Sequence, residues 1–231
     1  MKSSFTIPVA IAIGGAIVAL AVYISMSKSP SSSPEGNPAL VRPVGASDHI
    51  LGNPAAPVTI IEYADFDCEY CKEFDETLHQ IIASDGVSGK VAWVFREFPL
   101  IEIHPNAMRH AEVAECVGKT LGNDAFWAFK TTLFKNQPLN PADYGSYAEK
   151  SGISSTAFAD CFANASTTVD ARINADRQNA FAIGALGTPY SLILVAGKPP
   201  VVISGGYPYD GVKELIDEAL AETRTAQSPS R

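Results

Sequence analysis

The chain has 231 residues, of which 46% are hydrophobic, and a formal net charge of −8. That apolar share excludes a disordered chain and suits one ordinary domain plus appendages. No basic block is present, which excludes nucleic acid as a partner, and the acidity reads as a solubility device.

Met1 to Phe5 carries one cationic side chain, Lys2, and Ile7 to Ile24 is then apolar without a charge. At helical rise this run spans roughly 27 Å, about a bilayer core. Residues 1–24 are therefore expected to be a transmembrane signal anchor. The alternative is a cleaved signal peptide with a site at Ala19-Leu20-Ala21. Either reading puts the remainder outside the cytoplasm. Lys2 on one side and Lys28 on the other orient the segment only weakly. Residues 25–47 are rich in Ser, Pro and Gly and read as a flexible tether.

The turn-rich Leu51–Pro57 leads into a strand, Val58–Tyr63, and a helix with apolar Phe74, Leu78, Ile81 and Ile82 follows. Asp85-Gly86 ends it, and Lys90–Phe98 is a second strand. A strand, helix, strand unit implies a parallel pair. Helices are expected over 107–117, 125–134, 142–150, 155–162 and 167–183, the second strongly aromatic with Phe126, Trp127 and Phe129. Tyr190–Val195 and Val201–Ser204 form a hairpin around Gly197, and Tyr209–Ala221 is a closing amphipathic helix. Residues 225–231 are expected to be loose.

Cys68 and Cys71 sit where the first strand gives way to the first helix. Free N–H groups at a helix start stabilise a thiolate, the reactive form of cysteine. At i, i+3 spacing the first sulfur faces solvent as nucleophile and the second tucks beneath the first turn to resolve a mixed disulfide. A structural zinc needs a second close Cys or His pair, and Cys116 and Cys161 are far apart in sequence with no histidine beside either. A c-type haem needs His after the second Cys, and here Lys72 stands there. The competing reading is a purely structural disulfide. His49, His79, His104 and His110 lack metal-ligand spacing, so no metal is expected. Glu62, a carboxylate in an apolar strand, should have a raised pKa and suit proton transfer; the alternative is an exposed strand face.

The run from Asp48 through Glu62-Tyr63-Ala64-Asp65-Phe66-Asp67-Cys68 to Cys71, the helical stretch and Gly187-Thr188-Pro189 together resemble the DsbA-like branch of the thioredoxin superfamily, over roughly Asp48–Ala221. The resemblance implies an α/β thioredoxin fold over 48–99 and 188–224, with an all-helical domain inserted at 100–187. It implies a cis peptide bond before Pro189, whose loop, with Thr188, faces the cysteines and pairs with substrate; the competing reading is an ordinary loop proline. It also gives Glu62 the role of proton carrier for the resolving thiol. Glu69 and Tyr70 depart from the Pro-His pair common in strong oxidases. An acid beside Cys68 disfavours its thiolate, so a weaker oxidant is expected. Thr188 is similar to the residue found in disulfide isomerases.

In an oxidising compartment Cys116 and Cys161 are expected to staple the insertion, the alternative being two buried thiols. The implied function is a thiol:disulfide oxidoreductase that introduces disulfides into exported proteins, on the periplasmic side of a bacterial inner membrane. It would act as a monomer, need no cofactor, take cysteine-containing unfolded substrates and be reoxidised by a DsbB-type membrane protein. Two alternatives stay open: a disulfide isomerase or reductase, and a non-enzymatic envelope binding protein.

Overall fold

The structure is a computed structural model and describes residues 36–164 and 169–227. The apolar run 7–24, expected as an anchor, lies outside the described residues. Among the described residues no helix is long and apolar enough to cross a membrane.

Five strands form one sheet in the order β1-β3-β2-β4-β5. They are β1 (His49–Gly52), β2 (Val58–Ala64), β3 (Val91–Glu97), β4 (Tyr190–Val195) and β5 (Val201–Ser204). β2 and β3 are parallel, and the other pairs are antiparallel. β2 lies at the centre and is buried on both faces, which is why it reads as a continuous apolar run. Successive side chains alternate faces. Val58, Ile60 and Ala64 enter the core that also holds Phe74 and Leu78, while Ile61 and Tyr63 enter the core on the opposite face. Glu62 has the parity of Ile60 and Ala64, so its carboxylate points toward the helix that carries the cysteines.

That helix is α1 (Glu69–Ile81), followed by one wide turn, Ile82–Gly86. It packs with α7 (Tyr209–Gln227) against the first face. Between β3 and β4 come α2 (Ala107–Leu121), α3 (Asn123–Lys135), α4 (Tyr144–Lys150), α5 (Ser155–Ala163) and α6 (Asp170–Ile183). α2 to α5 share the first core with the sheet: Phe66, Phe95, Phe126 and Phe134 pack ring to ring. α6 supplies Ala180 and Ile183 to the opposite core. This helix, expected within the insertion, therefore covers the sheet itself.

Three other expectations are corrected. β1 is a strand that no expectation covers and that runs into the turn expected from Leu51, because four residues ending in Gly carry too little alternation to show as one. α7 continues to Gln227, past the expected start of a loose tail. Residues 36–47, expected as tether, are docked on the fold. Asn37 N–H donates to the Ala182 carbonyl (3.0 Å) and Arg42 N–H to Asn179 Oδ1 (2.8 Å). The fully buried Arg96 fixes the same segment, donating from Nη2 to the Arg42 carbonyl (2.9 Å) and from Nε to Asp48 Oδ1 (2.9 Å). A buried guanidinium is tolerable only with its donors satisfied, and this segment supplies acceptors. Gly36 lies so close to α6 that a Cβ there would sit 1.9 Å from the Gly184 nitrogen.

Candidate active site

Cys68 is the N-cap of α1, in extended conformation, and Cys71 lies one turn along. Cys68 is 8% exposed and Cys71 fully buried, and both are free thiols. The Cys68 thiol donates to the Thr188 carbonyl at 3.4 Å. The Thr188–Pro189 peptide bond is cis, and this loop thus lies directly against the Cys68 sulfur.

The two thiols are electrostatically opposite. The Cys71 thiol hydrogen-bonds to the Cys68 sulfur and lowers its pKa to about 6, with further help from Thr188 and from the backbone N–H groups of Cys71 and Tyr70, against the opposing effect of burial. The Thr188 hydroxyl is buried with no other partner among the described residues, so it is free to donate once Cys68 ionises. Burial pushes the Cys71 thiol well above its ordinary range, and the Cys68 thiolate and Glu62 push the same way. Cys68 thus favours its thiolate near neutral pH, while Cys71 holds its proton.

Glu62 is fully buried. Burial raises its carboxyl to about 8, with Lys130 pulling it down and Asp75 pushing it up. Trp93 Nε1 donates to its Oε2 at 3.0 Å, and its Oε1 makes no hydrogen bond within the described residues. Glu62 therefore favours its protonated form near neutral pH, and its charge, when present, acts on Cys71. Glu69 and Tyr70 are exposed at the start of α1. Water screens Glu69, and it is not among the largest influences on Cys68. Away from this site, Cys116 on α2 and Cys161 on α5 form a disulfide with Cα atoms 5.7 Å apart.

Several neighbours carried no readable signal in the sequence. Gln137 donates to the Phe66 (2.5 Å) and Cys68 (3.2 Å) carbonyls and braces the loop before α1. Asp65 accepts from Asp67 N–H, Leu100 N–H and His104, each at 2.8 Å. Burial opposes a charged His104, but Asp65 outweighs it and raises the ring's pKa. His110, fully buried, faces Asp67 at 3.0 Å and contacts the Tyr144 hydroxyl. Asp65, Asp67 and His104 hold their ligand atoms within 4.8 Å of one another, the one group among the described residues able to gather round a cation. Their mutual and backbone hydrogen bonds account for this arrangement without one.

A thioredoxin family model matches residues 46–218. Among curated proteins, the chain is 32% identical over 178 residues to Na(+)/H(+) antiporter NhaA 1 of Salinispora arenicola and 35% identical over 183 residues to NhaA 3 of Salinispora tropica. Each alignment covers 77% of this chain, which spans only about a quarter, 25%, of those relatives' length. Among solved structures, alpha-DsbA1 of Wolbachia pipientis superposes with a TM-score of 0.71 at 21% identity, covering 83% of this chain and 100% of that one. BdbD of Bacillus subtilis, in oxidised form, superposes with a TM-score of 0.65 at 24% identity, covering 75% and 93%. At such identities the likeness is one of fold. With the family model spanning most of the described residues and a Cys-x-x-Cys helix start facing a cis-proline loop, the chain belongs to the thioredoxin family.

Proposed function

We propose that the chain is a DsbA-like thiol:disulfide oxidoreductase that introduces disulfides into exported proteins through Cys68 and Cys71. The observation that carries this reading is the opposed state of the two sulfurs, an acidic Cys68 at the edge and a buried, reluctant Cys71. A structural disulfide needs no such division.

A substrate thiolate attacks Cys68 of the Cys68–Cys71 disulfide. The sulfur–sulfur bond between them breaks as the substrate–Cys68 bond forms, and Cys71 leaves as a thiolate. Protonated Glu62 gives Cys71 its proton. The substrate's second thiolate then displaces Cys68, so two electrons pass from substrate to the enzyme dithiol. The Cys68 thiolate is a good leaving group because Thr188 and backbone N–H groups favour its charge. The Thr188-Pro189 loop offers backbone to the extended substrate beside the reacting sulfur. Turnover requires an external oxidant, for which a DsbB-type membrane protein on the periplasmic side is the proposed source; the resemblance and the apolar run 7–24 support that location.

Refolding of a reduced substrate protein, followed by regained activity, tests the direction, alongside insulin reduction and refolding of a scrambled substrate. An oxidase accelerates the first, a reductase the second and an isomerase the third. Cys68→Ser should abolish exchange. A Cys68→Ser protein that loses nothing in any of these assays leaves only a binding module.

A further inference from the structure

We propose that Lys130, carried by the helical block and not by the sheet, is a positioning residue for the redox step: with Asp75 it forms a buried charge pair that decides whether Glu62 holds its proton. This rests on the thiol-exchange reading above and assigns a part of that machinery to a second region of the chain.

Lys130 lies on α3 and is fully buried. Its ammonium ion-pairs with Asp75 of α1 and sits 3.8 Å from the centre of the Trp93 ring, with Phe95, Trp127 and Phe134 around it at 4.8 to 5.2 Å. Trp93 is the shared wall, since its ring faces Lys130 while its N–H donates to Glu62. A lysine this deep is rare unless paired, and its one carboxylate partner is also that of His79, whose Nε2 lies 3.6 Å from Asp75 Oδ2. His79 and Asp75 line a cavity of about 340 Å³ between α1 and α3, with Thr131 and Lys135 on its far wall. Asp75 thus borders this cavity, while Trp93 stands between Lys130 and Glu62.

The groups facing Glu62 are few. α1 contributes Cys71 and Asp75, with Cys68 at its start; α3 contributes Lys130; β3 contributes the neutral Trp93 donor. β4 contributes Ser191, opposite Glu62 in the strand register and uncharged. α7 adds apolar Val212 and Ile216 to the same core. The charge on Lys130 favours the Glu62 carboxylate and that on Asp75 disfavours it. When Cys71 attacks Cys68 in a mixed disulfide, its thiol proton must go to a base, and Glu62 accepts it only as a carboxylate. Cys71 then bonds to Cys68, the sulfur that was joined to Cys68 in the mixed disulfide leaves as a thiolate, and no other oxidant is needed.

The test uses the whole protein with Cys68 held as a mixed disulfide with glutathione, and measures glutathione release against pH. The wild type should show an inflection that Glu62→Gln removes. Lys130→Met should move it alkaline by about one pH unit, slowing release about tenfold below it, and Asp75→Asn should move it acid by a similar amount. Opposite shifts are not what loss of packing produces. Should Lys130→Met fail to fold, the acid shift of Asp75→Asn decides. Inflections that stay put, or move the same way in both variants, overturn the inference alone. A wild type that releases no glutathione overturns the functional reading, and this inference with it.

Discussion

The acidity of Cys68 has a consequence for stability that titration can measure. In the folded reduced protein its pKa is about 6, against about 8.5 for an ordinary thiol in an unfolded chain. A depressed pKa adds stability above the unfolded value, and that stability is lost as pH falls through the folded one. Integrated from about pH 5.5 to about pH 7.5, the linkage gives the reduced folded state about 1.8 kcal/mol. At neutral pH the thiolate favours the reduced form by about 1.4 kcal/mol over an ordinary thiol, or about 30 mV in the direction of a stronger oxidant. These are upper values, because the sulfur borders solvent. The oxidised protein has no Cys68 thiol, so subtracting its urea-unfolding free energy from that of the reduced protein isolates the effect. Glu62 runs the opposite way: raised to about 8, it takes stability from the fold as pH rises toward that value. It does so in both redox forms and largely cancels in the difference. Burial raises Cys71, whose contribution begins to fade only above about pH 8.5, outside the window. Thiolate absorbance of the reduced protein, with Cys68→Ser as blank, should show the inflection directly. A stability difference that stays flat across this range, or an inflection at an ordinary thiol value, would refute the proposed division of labour between the sulfurs.

Replacing Cys116 and Cys161 together by Ser opens a loop with a sequence separation of 45. The chain-entropy relation sets the loss near 4 kcal/mol, read as a lower urea midpoint, while the alkylation rate of Cys68 stays the same. Glu62→Gln should slow the resolving step at neutral pH by about a hundredfold, measured in single-turnover stopped flow, with Cys68 alkylation unaffected. Gly36→Ala puts a Cβ against the Gly184 backbone. It should lower stability by about 1–3 kcal/mol and speed amide exchange at Asn37 and Arg42; unchanged exchange there would mean that the segment is not docked.

The readable part of the site is the part whose partners are near in sequence or whose pattern is periodic. Cys68 and Cys71 announce themselves because a β-rich run and a helical repeat meet at them. Glu62 does so because a carboxylate interrupts a continuous apolar run, and the parity of β2 then aims it at α1. β1 stayed hidden because its pairing with β3 leaves no period in four residues. The docking of residues 36–47 stayed hidden because Arg96, deep in β3, creates the need for acceptors that Arg42, Pro43 and Asp48 fill, and a buried arginine looks in sequence like any other.

Lys130 shows the limit most sharply. Within Phe126-Trp127-Ala128-Phe129-Lys130 it reads as the polar member of an aromatic helix, which ordinarily points to water. Its ion pair with Asp75 spans 55 residues of sequence, and its aromatic surroundings come from β3 as well as from its own helix. No local pattern reports such a distance. What turns it inward is the sheet, which packs Trp93 and Phe95 against the buried ammonium beside the Asp75 carboxylate. The same packing sets the Trp93 N–H against Glu62. The helical block thus reaches the dithiol chemistry through one tryptophan ring, and a substitution in α3 far from Cys68 in sequence is placed to alter how Cys71 gains and loses its proton.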